Sequence, residues 1–132
     1  SPATRKLAKY KLSEDVVVPR SRIVDLLDAT RAIGERHAVK HLTYGHAGDG
    51  NLHVNFLWDD MSQYPSVDAA VAELMRATVA LGGTLSGEHG IGLAKSRYLE
   101  KETSRGTMRY SRRIKAALDP KGILNPGKII GE

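Results

Sequence analysis

The sequence predicts an α+β fold: an antiparallel sheet of β-α-β-β-α-β order, two helices packed on it, and a C-terminal helical tail. Three observations predict it. "NLHVNFLW" (51–58) alternates, with Leu52, Val54, Phe56 and Trp58 on one face and His53 and Asn55 on the other, the period of a strand. Two segments, about 21–36 and 65–81, repeat apolar residues at helical spacing. Short extended runs precede, separate and follow those helices.

Taken in order, "VVV" (16–18) is a β-branched run closed by Pro19, read as a buried strand. Ser21 can cap the helix that follows, in which Ile23, Leu26, Leu27 and Ile33 share a face to about Arg36. Val39–Tyr44 reads as the second strand, "AGDGN" as a turn and 51–58 as the third strand. Pro65 and Ser66 open a second helix carrying Val67, Val71, Leu74, Met75 and Leu81, and Gly82-Gly83 end it. "TLS" (84–86) is a short fourth strand that runs into "GEHGIG". A basic helical segment covers about 95–118, and "DPKGILNPGKII" is a loop punctuated by proline and glycine. This order is the split-βαβ, ferredoxin-like pattern, which hosts many functions and names none. The divisions are 1–12 as a lead-in, 13–92 as the ferredoxin-like unit and 93–132 as a helical segment and loop.

The bulk composition excludes several classes. The 132 residues are 41% hydrophobic and 27% charged, as in one globular domain. No apolar run approaches the ~20 residues that cross a bilayer, and "SPATRKLAKYKLSEDVVVP" holds no signal-peptide core. With no cysteine, any metal must be held by His, Asp, Glu or backbone oxygen. The net charge is +5, with the excess between Lys95 and Lys115. Such a run could draw nucleic acid, a membrane or an anion, but a solvated helix face explains it as well. Aromatic residues are only 5%, which argues against a base-stacking platform and against nucleic acid as a partner.

The histidines are the informative feature. In the expected sheet the first and third strands lie centrally and run parallel, and the second and fourth run the other way. The end of strand two, the start of strand three and the end of strand four then meet at one edge. Those places hold His46, His53 and Glu88, two imidazoles and a carboxylate with room for further ligands, as at a catalytic metal. Gly48, Gly50, Gly87, Gly90 and Gly92 permit the tight turns this needs. "GDGN" lacks the acidic ligands of a calcium loop, and "GEHGIG" does not satisfy the dinucleotide fingerprint. His89, beside Glu88, is a natural proton acceptor near neutral pH. Asn55 shares a strand face with His53 and could hydrogen-bond a substrate. His37 and His41 lie outside the cluster and read as structural. On these residues alone, a metal- or anion-binding module without redox chemistry is an alternative to an enzyme.

"GHAGDGNLHVN", "GGTLSGEHGIG" and "LDPKGILNPGKI", in this order and spacing, resemble the C-terminal part of the FAD-linked oxidases. That family includes the flavin subunit of glycolate oxidase, D-lactate dehydrogenase and D-2-hydroxyglutarate dehydrogenase. The resemblance covers about residues 11–130, and "KLSEDVVVPRSRI" is most similar to the glycolate oxidase and D-lactate branch. It implies a vanillyl-alcohol-oxidase-like architecture, in which a cap with ferredoxin-like halves covers an FAD held by a separate N-terminal domain. The implied substrate is a D-2-hydroxy acid, oxidised to the 2-oxo acid. By the same resemblance His46, His53 and Glu88 hold a divalent metal, Zn or Mn, and Asn55 contacts substrate. His89 contacts substrate and accepts the hydroxyl proton, and Asn125 and Lys128 in "NPGK" face the flavin. Ser13 stands where the D-2-hydroxyglutarate branch has a substrate-contacting lysine, and Lys11 is two residues earlier, which turns the reading away from a five-carbon diacid. A chain of this length cannot hold the FAD domain beside the cap. The expectation is therefore a piece of a longer flavoprotein, inactive alone, with one ferredoxin-like half and exposed apolar surface that favours self-association. Its partners would be the missing FAD domain and further redox subunits, in the cytoplasm and at the periphery of the inner membrane.

Overall fold

The computed structural model describes residues 6–130, in two compact units, one ending at Glu88 and the other beginning at His89. The first unit is built in the order β1 (Tyr10–Val17), α1 (Ile23–Arg36), β2 (Lys40–His46), β3 (Asn51–Trp58) and α2 (Tyr64–Ala80), and its class is α+β. The sheet order is β1-β3-β2. β3 is central, antiparallel to β1 on one side and to β2 on the other. β1 and β2 are thus parallel and joined through α1, the split-βαβ unit. The expectation that the first and third strands run parallel is not met, since they are neighbours in antiparallel register from Tyr10↔Trp58 to Val17↔Asn51.

Three further expectations are corrected. Among the described residues the sheet has three strands, not the four of the βαββαβ pattern. "TLS" makes one bridge, Val17↔Thr84, closed by Val17 N–H to Thr84 O at 3.1 Å and Thr84 N–H to Val17 O at 2.8 Å. Beyond it the chain cannot extend the ladder, because the N–H groups of Gly87 and Glu88 go to the Asp15 side chain. Nor does Ser21 cap α1: it lies within a 3-10 turn, Arg20–Arg22, and the cap position falls on Arg22. β1 also begins at Tyr10, inside the stretch read as a lead-in; residues 1–5 of that stretch lie outside the described residues.

The core follows from the alternation of β3. Leu52, Val54 and Phe56 are buried with Val16 of β1, Leu26 and Ile33 of α1, and Val67, Val71, Leu74 and Met75 of α2. Every residue of β3 is buried, so the polar face with His53 and Asn55 is covered as well. Both helices end in the same motif. Gly83 N–H reaches Thr78 O and Gly82 N–H reaches Val79 O, with Gly82 at φ +76°. Val39 N–H reaches Gly34 O and Ala38 N–H reaches Glu35 O, but here an alanine occupies the left-handed position, at φ +53°. These are the paired bonds of the Schellman termination, which satisfy carbonyls the helix leaves open.

The second unit holds α3 (Leu99–Glu102) and α4 (Arg105–Leu118). Ser104 caps α4 by accepting from Thr107 N–H at 3.0 Å. Asp119 then fastens the loop after α4, accepting from Ile123 N–H at 3.1 Å, Leu124 N–H at 2.9 Å and Lys115 Nζ. Those donors, Lys115 first, hold its carboxyl below the usual aspartate range. On α4, Arg105, Arg109, Arg112 and Arg113 are exposed, as expected of a solvated basic face, and so are Tyr110, Ile114 and Leu118.

Candidate metal and substrate site

The β2–β3 hairpin places the two histidines. In its register His46 faces Asn51 and Tyr44 faces His53, so His46 and His53 are diagonal neighbours. Their rings meet edge-on with centroids 5.5 Å apart. Glu88 arrives by a different route from the one strand direction predicts. After the Thr84 bridge the chain runs back along β1, and Asp15, which pairs with His53 in register, takes hold of it. Asp15 Oδ2 accepts from Ser86 Oγ at 2.9 Å, Gly87 N–H at 2.8 Å and Glu88 N–H at 2.9 Å. At Gly87 a Cβ would lie 2.7 Å from Val17 Cγ2 and 2.8 Å from Asn51 Nδ2, so a side chain there would push the loop off the sheet. Glu88 Oε1 then lies 3.2 Å from His53 Nε2 and 3.8 Å from His46 Nε2.

Ligand atoms of His46, His53 and Glu88 all fall within 4.8 Å of one another, the one such set among the described residues. The edge of a tetrahedron with metal–ligand bonds near 2.1 Å is about 3.4 Å; the 3.2 and 3.8 Å from Glu88 to the two imidazoles bracket it, while the set as a whole, within 4.8 Å, would have to close on a first-row divalent ion. Two imidazole nitrogens and a carboxylate oxygen, without thiolate, are also the donor chemistry of Zn or Mn. His53 is buried, whereas His46 and Glu88 are exposed, leaving one side of the set open to a ligand.

Asn55 is fully buried two residues along β3 from His53. Its Nδ2 donates to Leu42 O at 3.1 Å and His53 O at 3.0 Å. Two carbonyl acceptors require a donor there, which fixes the amide orientation and leaves Oδ1 buried without a hydrogen-bond partner. His37 and His41 stand apart from the cluster. His37 Nε2 is 2.8 Å from Glu73 Oε2, joining α1 to α2, and His41 packs against Gly34 of α1. The residue that sequence reasoning missed is Asp15. In "SEDVVVP" no local pattern marks it, yet it is 0% exposed.

In the second unit, His89 is exposed and directly follows Glu88 in the chain. Asn125-Pro126-Gly127-Lys128 forms a turn, with Lys128 N–H to Asn125 O at 3.3 Å and Gly127 at φ +70°. Ile129 N–H to Gly92 O, at 2.9 Å, ties the turn to the glycine-rich segment. Asn125 and Lys128 line a recess of about 440 Å³ with Lys115, Leu124 and Ile129. An amide and an ammonium there stand beside apolar side chains.

A family model described as FAD linked oxidases, C-terminal domain, matches residues 2–129. The chain is 38% identical over 132 residues to the glycolate oxidase subunit GlcD of Bacillus subtilis (strain 168), covering 98% of this chain and 28% of that protein. It is 38% identical over 115 residues to a mitochondrial D-lactate dehydrogenase (cytochrome) of Kluyveromyces lactis, covering 87% of this chain and 20% of that one. It is also 38% identical over 120 residues to a D-lactate dehydrogenase of Archaeoglobus fulgidus, covering 88% and 26%. The chain thus spans between 20% and 28% of the length of these relatives. Matched along nearly its whole length, the chain belongs to the C-terminal domain family of the FAD-linked oxidases.

Proposed function

We propose that this chain supplies the metal and substrate side of a flavoprotein that oxidises a D-2-hydroxy acid, of the glycolate or D-lactate type, to the 2-oxo acid. The observation that carries the reading is the convergence of His46 Nε2, His53 Nε2 and Glu88 Oε1 from a hairpin and a separate loop. Relatives named glycolate oxidase and D-lactate dehydrogenase give the substrate class.

A Zn or Mn ion held by His46, His53 and Glu88 would supply Lewis acidity toward the hydroxyl and carboxylate of the substrate. FAD, faced from this chain by Asn125 and Lys128 and bound mainly by a separate domain, would take up the electron pair. His89 then accepts the hydroxyl proton at a ring nitrogen while the C–H electron pair departs, so the alcohol loses two electrons and two protons. Asn55, its Nδ2 committed to the main chain, has Oδ1 as its uncommitted acceptor, and a substrate meets it only when the residues that bury it part.

The test is elemental analysis of the chain after exposure to Zn or Mn, beside Glu88→Gln. About one equivalent, lost in the variant, is expected. In the longer polypeptide a bound yellow flavin should bleach on adding D-lactate or glycolate. A colourless longer polypeptide would sink the redox reading and leave a metal- or anion-binding module.

A further inference from the structure

We propose that Asp15 is the positioning residue of this site: one carboxylate that both lays down the loop carrying Glu88 and sets which nitrogen of His53 faces the metal. The inference rests on the metal-site reading above and assigns a residue that faces no metal itself.

Asp15 is 0% exposed. A buried carboxylate persists only when donors converge on it. Three converge on one oxygen, Oδ2, and all come from three consecutive residues, Ser86, Gly87 and Glu88. Two are main-chain N–H groups, the groups that would otherwise extend the ladder from the Thr84 bridge. The carboxylate therefore takes the place of a strand partner and fixes the backbone from which the Glu88 side chain projects. Asp15 and Glu88 are 73 positions apart, so no local preference could do this.

The other oxygen faces the second ligand. Asp15 Oδ1 lies 3.9 Å from His53 Nδ1. That is an electrostatic contact, longer than a hydrogen bond. A neutral imidazole has one N–H and one lone pair. An N–H at Nδ1 is attracted by the carboxylate, and a lone pair there is repelled. Asp15 thus favours the Nδ1–H tautomer, whereas Glu88 Oε1, 3.2 Å from Nε2, draws the proton the other way until a cation stands between them. Carboxylates behind metal-bound imidazoles work in this way, and losing one weakens metal affinity by about 10- to 100-fold. Here the same carboxylate also places a second ligand.

The tautomer test carries Glu88→Ala throughout, with no metal added, so that the opposing carboxylate is gone; the Zn test keeps Glu88. Long-range ¹⁵N–¹H spectra of the neutral His53 ring should show Nδ1 protonated and Nε2 bare. Asp15→Asn should lose that bias while amide shifts in β2 and on α1 stay unchanged, which a merely structural role would not produce. Zn titration should show Kd weakened roughly 10- to 100-fold in Asp15→Asn. Ser86→Ala removes one donor from Oδ2 and should leave the tautomer intact. A Glu88→Ala ring protonated at Nε2 overturns the proposal, and this holds even if Asp15→Asn fails to fold. Equal Zn affinity in wild type and Asp15→Asn overturns it too. A tautomer bias in Glu88→Ala together with no Zn binding by the wild type sinks the metal reading instead, and leaves the orientation by Asp15 standing.

Discussion

His37 Nε2 lies 2.8 Å from Glu73 Oε2 and fastens the end of α1 to the middle of α2. Arg36 reaches the other oxygen of the same carboxylate. The His37 hydrogen bond is the main influence that holds the Glu73 carboxyl below the usual glutamate value of 4.5; burial opposes it and Arg36 adds to it. A carboxyl depressed in this way stabilises the fold fully above its unfolded value, and the contribution is lost as pH falls through the folded value. Chemical denaturation at a series of pH values should therefore show stability falling below about 4.5. Glu73→Gln should be less stable near neutrality and should flatten that fall. An identical pH profile in Glu73→Gln would refute the linkage.

What the sequence revealed and what it hid follow from where the determinants lie. β3 was legible because its alternation is local, and α2 because Val67, Val71, Leu74 and Met75 repeat at helical spacing. The start of β1 was hidden because Lys11, Ser13, Glu14 and Asp15 interrupt the apolar signal, although Glu14 and Asp15 are buried. Long-range pairing decides that, not composition. His46 and His53 were legible as a pair, since a hairpin register is set by its own turn. Glu88 was expected in the right place for the wrong reason. No parallel strand pair delivers it; a side chain on β1 captures the loop.

Ala38 ends α1 in the left-handed region, at φ +53°, where a Cβ is unfavourable. Gly82 does the same work at the end of α2 without that strain. Ala38→Gly should stabilise the first unit by up to about 1 kcal/mol, reduced by the greater freedom of glycine in the unfolded chain. The converse change, Gly82→Ala, should destabilise by roughly 1 kcal/mol. Urea midpoints should shift in opposite directions at unchanged m. A fall in the midpoint on Ala38→Gly would contradict the strain at that position.

Asn55 separates a structural from a ligand-binding contribution. Its Nδ2 satisfies two main-chain carbonyls, so Asn55→Ala should cost about 1–3 kcal/mol, the cost of leaving buried acceptors without a donor. Asn55→Asp should cost more at neutral pH, since a carboxylate oxygen would face those carbonyls. Equilibrium unfolding should rank wild type above Asn55→Ala and that above Asn55→Asp. If Asn55→Asp equals wild type, the amide orientation is reversed and Oδ1 is not the atom left for a ligand.

Metal binding should itself be measurable as stability. An ion that binds only the folded chain adds RT ln(1 + [L]/Kd), about 2.7 kcal/mol when Zn is present at 100 times its Kd. The His46–His53–Glu88 set draws its donors from β2, β3 and the loop after the Thr84 bridge. Binding therefore links segments that must separate on unfolding. Melting curves should rise with Zn concentration in the wild type and stay flat in His53→Ala and Glu88→Gln. The comparison also divides the two histidines. His53 is buried, so His53→Ala should lower the metal-free melting temperature as well, whereas exposed His46 should leave it nearly unchanged while still abolishing the response to Zn. A full response to Zn in His46→Ala would remove that residue from the ligand set and leave too few protein donors for a tightly held ion.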